Sequence, residues 1–124
     1  MTPQDYYNYF ESRPEDKWTT GTMTDKDGNY CAVGWIRFGL QLYKFESDLK
    51  QMFRKWDFGS PEEVNDGTRD TKIYGATPRE RILTVLSQIV LFENAAGEPE
   101  VNHDRSEVAP VVASVAEKHS LALA

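Results

Sequence analysis

The chain has 124 residues, of which 40% are hydrophobic and 12% aromatic, and its formal net charge is −6 at pH 7. This composition is typical of a folded protein, and the length supports one hydrophobic core but not two. The negative charge argues against direct non-specific nucleic-acid binding, which depends on Lys and Arg. The sequence has no apolar run near the ~18 residues that a membrane span requires, so we expect no membrane association.

The N-terminus and the cysteine count bear on where the protein works. Residues 1–6 lack the basic region of a signal peptide. Cys31 is the only cysteine, so the chain has no second thiol for an internal disulfide. We therefore expect a cytoplasmic protein of bacterial or viral origin, in the host-cell cytoplasm if a phage encodes it.

Three segments begin with the residue order typical of helix N-termini. Thr2, Ser60 and Thr77 each offer a hydroxyl at the N-cap position, followed by Pro at the first helical position and an acidic residue two places later. Glu63 and Glu80 complete the pattern of a full capping box in the second and third segments. The predicted helices are 3–12, 60–66 and 77–92. The second is expected to be closed by Gly67 as a left-handed cap, and the last is the most apolar of the chain.

Residues 18–31 have the pattern of a β-hairpin. The sequence Asp-Lys-Asp-Gly at 25–28 favours a tight reversal, because Gly accepts positive φ without steric cost and Asp bonds nearby backbone. Threonines precede this turn and the sequence Asn-Tyr-Cys follows it, so the flanks are predicted to pair as short strands. The acids of the turn also alternate as in a calcium loop, but Gly stands at the fourth place instead of the sixth and Ile36 stands where a carboxylate is needed. We expect no metal site.

An apolar helix is predicted from Ala32 to about Tyr43, buried on most of its circumference. Gly34 and Gly39 each cost roughly 1 kcal/mol of helix propensity relative to Ala, which suggests close packing of the backbone against a neighbour. Cys31 stands at the start of this helix, where the peptide dipoles favour a thiolate. Free cysteine is nonetheless mostly buried, so a packed core thiol is the expected state.

A second apolar stripe follows in residues 44–58 and predicts a surface helix laid on the core, ended by Gly59. The side chains of the stripe are Phe45, Leu49, Met52, Phe53 and Trp56.

Arg79 and Arg81 lie in the first turns of the helix 77–92, where the helix dipole does not favour cations. This conflict predicts either an acidic neighbour, such as Asp66 or Asp70, or no particular contact.

Residues 65–76 form a polar segment with one aromatic side chain, and they are predicted to be a loop. Loops of this length inside compact domains are often functional, although an ordinary connector has the same composition. We take this loop, together with two aromatic residues near the predicted hairpin, as the candidate binding surface. Its residues are Asn65, Asp66, Arg69, Asp70, Tyr74, Trp18 and Tyr30.

The sequence divides into a compact aromatic-core domain, 1–93, and a C-terminal linker with a short helix or arm, 94–124. Valines spaced at helical intervals from Val108 to Val115 predict an amphipathic helix beginning near Pro110. Such an arm packs on the domain, forms a homo-oligomer contact or stays partly mobile. Together the elements predict an α+β fold, a mostly helical single domain of four to five helices with one small β-hairpin near residues 18–31.

Four short motifs stand out in the sequence: Trp18-x-x-Gly21, Asp27-Gly28-x-x-Cys31-Ala32-x-Gly34, Asn65-Asp66 and the helix Arg81-Ile-Leu-Thr-Val-Leu86. They resemble a family of small proteins from actinobacteria and their phages, for which no activity is known. The resemblance spans roughly residues 18–40 and 63–90, and it implies a shared fold and a bacterial or phage source. The chain departs from the family pattern in the aromatic helix at 44–58 and in the residues after 94.

Three functions are compatible with the sequence. The first is a protein-interaction module that binds a host or phage protein, for example an accessory or inhibitor of a host defence protein. The second is a small-molecule or nucleotide-binding protein whose pocket is walled by aromatic residues. The third is a thiol enzyme in which Cys31 is the nucleophile and His103 or His119 the base. We find no phosphate-binding loop, zinc-ligand spacing or paired catalytic carboxylates, so we expect neither a cofactor nor an enzyme.

Overall fold

The computed structural model of the protein describes residues 1–96, and every regular element in this range is helical. None of these helices is both long and apolar enough to cross a membrane. Most of the predicted C-terminal arm, with His103 and His119, lies outside the described residues. The elements are α1 (Pro3–Glu11), α2 (Ala32–Gly34) continued by a π-helix (Trp35–Leu40), α3 (Tyr43–Lys55), α4 (Pro61–Asp66), α5 (Pro78–Ala96) and 3-10 helices at Glu15–Lys17 and Arg69–Tyr74.

The predicted tight turn at 25–28 forms. The N–H of Gly28 donates to the carbonyl of Asp25 over 3.2 Å, and Gly28 has a φ of +79°. The Asp25 carboxylate accepts from the backbone N–H groups of Asn29 and Asp27 and from the Asn29 amide, at 2.9 to 3.1 Å. The hydrogen bonds from Asn29 are the main reason that the pKa of Asp25 is lowered.

The predicted β-hairpin, and with it the α+β fold, is wrong for residues 1–96, which contain no strand. The flanks of the turn form only isolated bridges, antiparallel between Thr24 and Tyr30 and parallel between Trp18 and Tyr30. The first flank bends away at Gly21, whose φ is +77°, and the Gly21 N–H donates to Asp66 Oδ1 over 3.0 Å. Because of this bend, consecutive residues do not pair across the turn.

All three predicted helix starts are confirmed, but the full capping box lies elsewhere than expected. Thr2 Oγ1 accepts the Asp5 N–H, and the Asp5 carboxylate accepts the Thr2 N–H in return. At α5 the Thr77 hydroxyl accepts the Glu80 N–H, while the Glu80 carboxylate accepts from Ala76, one residue before the cap. Asp at the third helical position therefore completes the box that Glu was expected to make.

The core lies among the five α-helices, with α5 at its centre. α5 packs against α1, α2 and α4 and contributes five of the buried hydrophobic side chains. The predicted apolar stripe of α3 is confirmed, because Leu49 and Phe53 are fully buried and the other three members of the stripe pack at the edge of the core. The fully buried cluster comprises Tyr6, Phe10, Ala32, Ile36, Leu49, Phe53, Val64, Ile82, Val85, Leu86 and Ile89.

The helix predicted from Ala32 to Tyr43 is shorter and less buried than expected. After one α-helical turn it widens to a π-helix, because the Tyr9 hydroxyl inserts against Gly39 and donates to the Trp35 carbonyl over 2.6 Å. In an α-helix the Gly39 N–H would bond this same carbonyl. Gln41 then ends the helix in a left-handed conformation, with a φ of +60°.

Residues 65–76 are not the predicted loop. Asn65 and Asp66 form the end of α4, which Gly67 closes with a φ of +71°, as the sequence predicted. The following 3-10 helix is fixed to α4, because the Thr71 hydroxyl contacts the Glu63 carbonyl over 3.1 Å. The segment is thus folded onto the core instead of projecting from it.

Candidate functional site

Three large hydrophobic side chains are exposed together where the π-helix meets α3. Phe38 is 48% exposed, Leu42 is 53% exposed and Tyr43 is 74% exposed. Isolated exposed hydrophobic residues are common on protein surfaces, whereas several close together mark a contact surface. We call Phe38, Leu42 and Tyr43 the aromatic corner.

Phe38 of the corner packs on partly buried aromatic neighbours. The Phe38 ring packs on Tyr30 with a centroid distance of 5.7 Å, and Tyr30 packs in turn on Trp35 at 4.7 Å. Gln41 fixes the direction of the chain between the two helices, as its left-handed φ turns the backbone sharply.

The surroundings of the corner are positively charged. Arg37 is part of the π-helix, and Lys44 follows the corner on α3 with its ammonium 5.5 Å from the centroid of the Phe45 ring. Leu42 is the N-cap residue of α3 and has no side chain that could bond the first N–H groups of the helix. Such unpaired N–H groups carry the positive end of the helix dipole. The corner therefore presents an apolar patch with a cationic rim.

A polar cleft adjoins the corner on the inner side of Arg37. Glu46 lies in it with a side chain only 3% exposed, and Arg37 binds this carboxylate with two hydrogen bonds of 2.8 and 3.1 Å. The Lys50 ammonium adds a third contact at 3.4 Å and lies 3.9 Å from Glu62. A buried carboxylate is tolerated only when paired in this way. These contacts attach the π-helix to α3 and α4.

The cavity of the polar cleft has a volume of about 350 Å³. Glu46, Glu62 and Asp66 contribute three carboxylates to its walls, while Arg37 and Lys50 contribute two cations. The charges of the two signs thus nearly balance. The remaining lining residues are Gly21, Thr22, Met23, Cys31 and Val33.

Cys31 is a buried N-cap residue of α2. Its sulfur accepts the Gly34 N–H over 3.4 Å. Burial raises the pKa of the thiol, and the contacts with the Gly34 and Val33 N–H groups oppose this rise only in part. A raised pKa lowers the fraction of reactive thiolate at neutral pH, the opposite of what a cysteine nucleophile requires. The residues named as its base, His103 and His119, lie outside the described range.

Two of the predicted binding residues, Asn65 and Asp66, join parts of the fold. The Asn65 amide accepts the Ala32 N–H at 2.9 Å and donates to the Thr19 carbonyl at 2.9 Å. It also donates to Asp66 Oδ1, the same atom that accepts the Gly21 N–H. This pair fixes the loop before α2 to the end of α4, and Asn65 is buried.

The aromatic residues of the predicted binding surface lie in two places. Trp18 and Tyr30 belong to one cluster, in which Trp18 and Trp35 have ring centroids 6.3 Å apart. Tyr74 lies elsewhere, with its ring edge against Phe58 at 5.7 Å. The rings that were expected to wall one pocket therefore do not all meet, and those that do meet pack on one another.

The last two predicted binding residues, Arg69 and Asp70, are exposed at the start of the 3-10 helix. Arg69 has a φ of +55°, and its guanidinium lies 3.4 Å from the Glu63 carboxylate. Among the residues that the structure describes, no three His, Cys, Asp or Glu side chains are grouped to hold a metal ion. These two residues are accessible to a partner, and the same 3-10 helix also carries the exposed hydrophobic residue Ile73.

Comparisons of the chain with protein-family models, with curated proteins and with solved structures find no match. The geometry of the described residues is therefore the basis for a functional proposal. The aromatic corner is not predicted by the sequence pattern, which assigns its three residues to a buried helix. The one sequence signal for the corner is Gly39. A glycine within a helix implies close packing against a neighbour, and the contact at Gly39 is the contact that widens the helix.

Proposed function

We propose that the protein is a small interaction module that binds another protein through the aromatic corner. The observation that carries this proposal is the joint exposure of Phe38, Leu42 and Tyr43 where the π-helix meets α3. Aromatic and aliphatic anchors surrounded by polar residues are the usual composition of an interface centre. The proposed function is the one inferred from the sequence, but the proposed binding surface is the aromatic corner.

The charge around the corner selects the chemistry of the partner. Lys44 and the N-terminus of α3 provide positive charge beside the hydrophobic residues, while the charge of the neighbouring Arg37 is paired with Glu46. An amphipathic segment with leucine or aromatic anchors and acidic flanks complements this surface. A segment with basic flanks is disfavoured there by repulsion.

The setting of this interaction is a narrower proposal that rests on the resemblance of the motifs. A bacterial or phage protein of this size, in the cytoplasm of its cell, would act as an accessory or inhibitor of a host protein, for example a defence protein. The free, buried Cys31 is compatible with a reducing compartment. The test below addresses the corner and does not depend on this setting.

Peptide display tests the proposal while the natural partner is still unidentified. A library of random peptides is selected on the wild-type protein, and the affinity of the enriched peptides is measured by fluorescence anisotropy. We expect acidic amphipathic sequences to be enriched. Tyr43→Asp should weaken their binding by about tenfold or more, equal to roughly 1.4 kcal/mol, and Lys44→Glu should weaken it several-fold, more so at low salt.

Matched controls come from the 3-10 helix. Ile73 is an exposed hydrophobic residue and Lys72 is its exposed basic neighbour. We expect Ile73→Asp and Lys72→Glu to leave peptide affinity unchanged. Enriched peptides that bind the Tyr43→Asp variant as tightly as the wild type would contradict the proposal.

The polar cleft favours a second candidate function, the binding of a small polar ligand. Its volume of about 350 Å³ falls in the range of small-molecule sites. Both signs of charge line it, so a zwitterionic ligand suits it better than an apolar one. A ligand of this kind should raise the melting temperature of the wild type in a metabolite screen, and Glu62→Gln should reduce the rise.

A further inference from the structure

The outward face of α5 carries no charged residue over its last three turns, between 83 and 94. Exposed helix faces are normally rich in charged side chains, and 27% of this chain is charged. The two acids on the helix lie elsewhere, Glu80 in the first turn and Glu93 in contact with Lys55 and Trp56. The face consists of Leu83, Thr84, Ser87, Val90, Leu91 and Asn94.

This face forms a groove with α1. Tyr7 and Gln4 of α1 lie opposite Ser87, Val90 and Leu91 of α5, around a cavity of about 250 Å³. Leu91 is 49% exposed although it is a large hydrophobic residue. The Ser87 hydroxyl donates to the Thr84 carbonyl within the helix over 2.8 Å, so it does not need water or another partner.

α5 is therefore apolar on two sides. Its inner side provides core residues such as Val85 and Ile89, and its outer side provides the half-buried Val90 and the exposed Leu91, while Leu83 packs against the edge of the core. A helix that is apolar around most of its circumference is normally covered on both sides. The inner side is covered by the core, and the outer side has no cover in the described part of the chain beyond the edge of α1.

We propose that a second copy of the chain covers the groove between α1 and α5, so that the protein is a twofold symmetric dimer. In such an interface each patch meets its own copy, and any net charge on the patch meets the same charge. A neutral patch is therefore suited to self-association in a chain of net charge −6. The charged groups beside Tyr7 are Glu11 and Arg79, which are of opposite sign.

The length of α5 is compatible with this occupant. α5 has 19 residues, which corresponds to a length of roughly 28 Å. Two such helices packed antiparallel, each flanked by its α1, form a four-helix arrangement in which the helix dipoles oppose each other. A partner with charged flanks would gain no electrostatic attraction at this neutral face, whereas it would at the aromatic corner.

The dimer and the proposed partner site use different sides of α1. Tyr9 contacts the π-helix behind the corner, through its hydrogen bond to Trp35, whereas Tyr7 faces the groove. Dimerisation therefore leaves Phe38, Leu42 and Tyr43 exposed. A dimer presents two corners, which strengthens binding to any partner that has two matching segments.

Sedimentation and light scattering of the full chain test the dimer. We expect twice the chain mass for the wild type at micromolar concentrations and a melting temperature that rises with protein concentration. Leu91→Arg places like charges opposite each other, so it should give a monomer with unchanged helical circular dichroism and a melting temperature independent of concentration. Ile73→Arg changes an exposed hydrophobic residue elsewhere and should remain dimeric.

Three results would overturn the proposal. One is a wild type that stays monomeric up to sub-millimolar concentration, which would leave the groove to residues 97–124 or to another partner. Another is a dimer that survives Leu91→Arg. The third is a dimer lost with Leu42→Arg but not with Leu91→Arg, which would place self-association at the corner. None of these outcomes depends on whether the corner binds acidic peptides, so the two proposals fail separately.

Discussion

Arg81 links three segments through one buried guanidinium. Its Nε and terminal nitrogens donate to the carbonyls of Val64, Asn65 and Gly75 at 3.0, 2.7 and 3.1 Å. The first two carbonyls belong to the last turn of α4, where the Val64 carbonyl also accepts the Gly67 N–H at 3.3 Å. Burial lowers the pKa of Arg81, and the charge of Asp66 opposes this.

Replacing Arg81 should strongly destabilise the fold. Arg81→Met removes three hydrogen bonds and leaves the carbonyls of Asn65 and Gly75 without this donor inside the fold, so we expect the free energy of unfolding to fall by about 3 kcal/mol or more. Arg81→Lys should recover only part of this loss, because an ammonium cannot reproduce the planar fork. Urea denaturation followed by circular dichroism measures both.

The matched control for this prediction is Arg79→Met. Arg79 is two residues away on the same helix and reaches only the exposed Glu15 and the Glu11 carbonyl. We expect Arg79→Met to lower the free energy of unfolding by about 1 kcal/mol. Equal losses of unfolding free energy for Arg79→Met and Arg81→Met would show that the three carbonyl contacts of Arg81 contribute no more than the contacts of Arg79 with Glu11 and Glu15.

Tyr6 makes the stability dependent on alkaline pH. Its hydroxyl donates to the Phe45 carbonyl over 3.0 Å, and burial, with smaller contributions from Asp48 and Asp5, raises its pKa from 10.0 to about 12. Below pH 10 the phenol is protonated in the folded and unfolded states alike. Above it the unfolded state loses its proton first, so stability should fall between pH 10 and about 12.

Urea midpoints measured at several pH values test this dependence. Tyr6→Phe has no phenol to ionise, so the difference in stability between wild type and variant should shrink as the pH rises through this window. The variant should be less stable at neutral pH by about 1 kcal/mol, since it leaves the Phe45 carbonyl without this donor. A difference that stays constant up to pH 12 would show that the pKa of Tyr6 is not raised as stated.

Individual residues show where a local sequence pattern stops being informative. A cation such as Arg81 is disfavoured near a helix N-terminus, and from this position the sequence predicts an acidic neighbour. The position does not reveal that the hydrogen-bond partners of Arg81 are backbone carbonyls. Hydrogen bonds between residues far apart in sequence leave no local pattern. Asn65 illustrates the same limit, because its polarity predicts a loop whereas its amide bridges Ala32 and Thr19 inside the fold.

At the scale of elements, the π-helix depends on one contact between α1 and Gly39. The Tyr9 hydroxyl occupies the space of a Cβ at this position, so Gly39→Ala should lower the free energy of unfolding by about 1–3 kcal/mol. Tyr9→Phe removes the hydroxyl and its bond to Trp35. The double variant should lose less than the sum of the two single losses, because the clash needs both groups.

Thermal and urea unfolding of the four proteins in this cycle give the coupling energy. A coupling near zero would mean that the hydroxyl is not what widens the helix.

The same contact explains why the aromatic corner could not be predicted. Periodicity alone continues the helix through Leu42 and Tyr43, whereas the inserted hydroxyl shifts the register and Gln41 ends the element.

The elements that local chemistry determines were predicted well. Hydroxyl caps followed by Pro determine the starts of α1, α4 and α5, and Gly67 ends α4, because each signal acts within one helical turn. The hairpin was wrong because strand pairing needs both flanks to stay extended. Gly21 bends one of them toward Asp66, which is 45 positions away in the sequence.

For the whole molecule, α5 is the element on which the others depend. It packs on α1, α2 and α4, and its Arg81 and Arg79 bond the last carbonyls of α4 and α1. Single-domain size and a helical majority follow from length and apolar periodicity. The neutral outer face of α5 is visible in the sequence only as extra hydrophobicity, because the groove exists only once α1 lies beside it.

This arrangement predicts two levels of hydrogen exchange. Amides of α5 should exchange only on global unfolding, since opening this helix exposes most of the core. The π-helix contributes only Ile36 to the fully buried cluster and ends at the exposed corner, so its amides should exchange faster by local opening. Mass spectrometry of exchanged peptides separates the two segments.

The Arg81→Met variant makes this prediction specific. Loss of global stability should speed exchange in α5 by the full change in unfolding free energy, while exchange in Trp35–Leu40 should change little because it does not require global unfolding. Equal acceleration of both segments would mean that the corner opens only with the whole domain. A corner that opens independently can adjust to a partner while the core, and the groove along α5, stay intact.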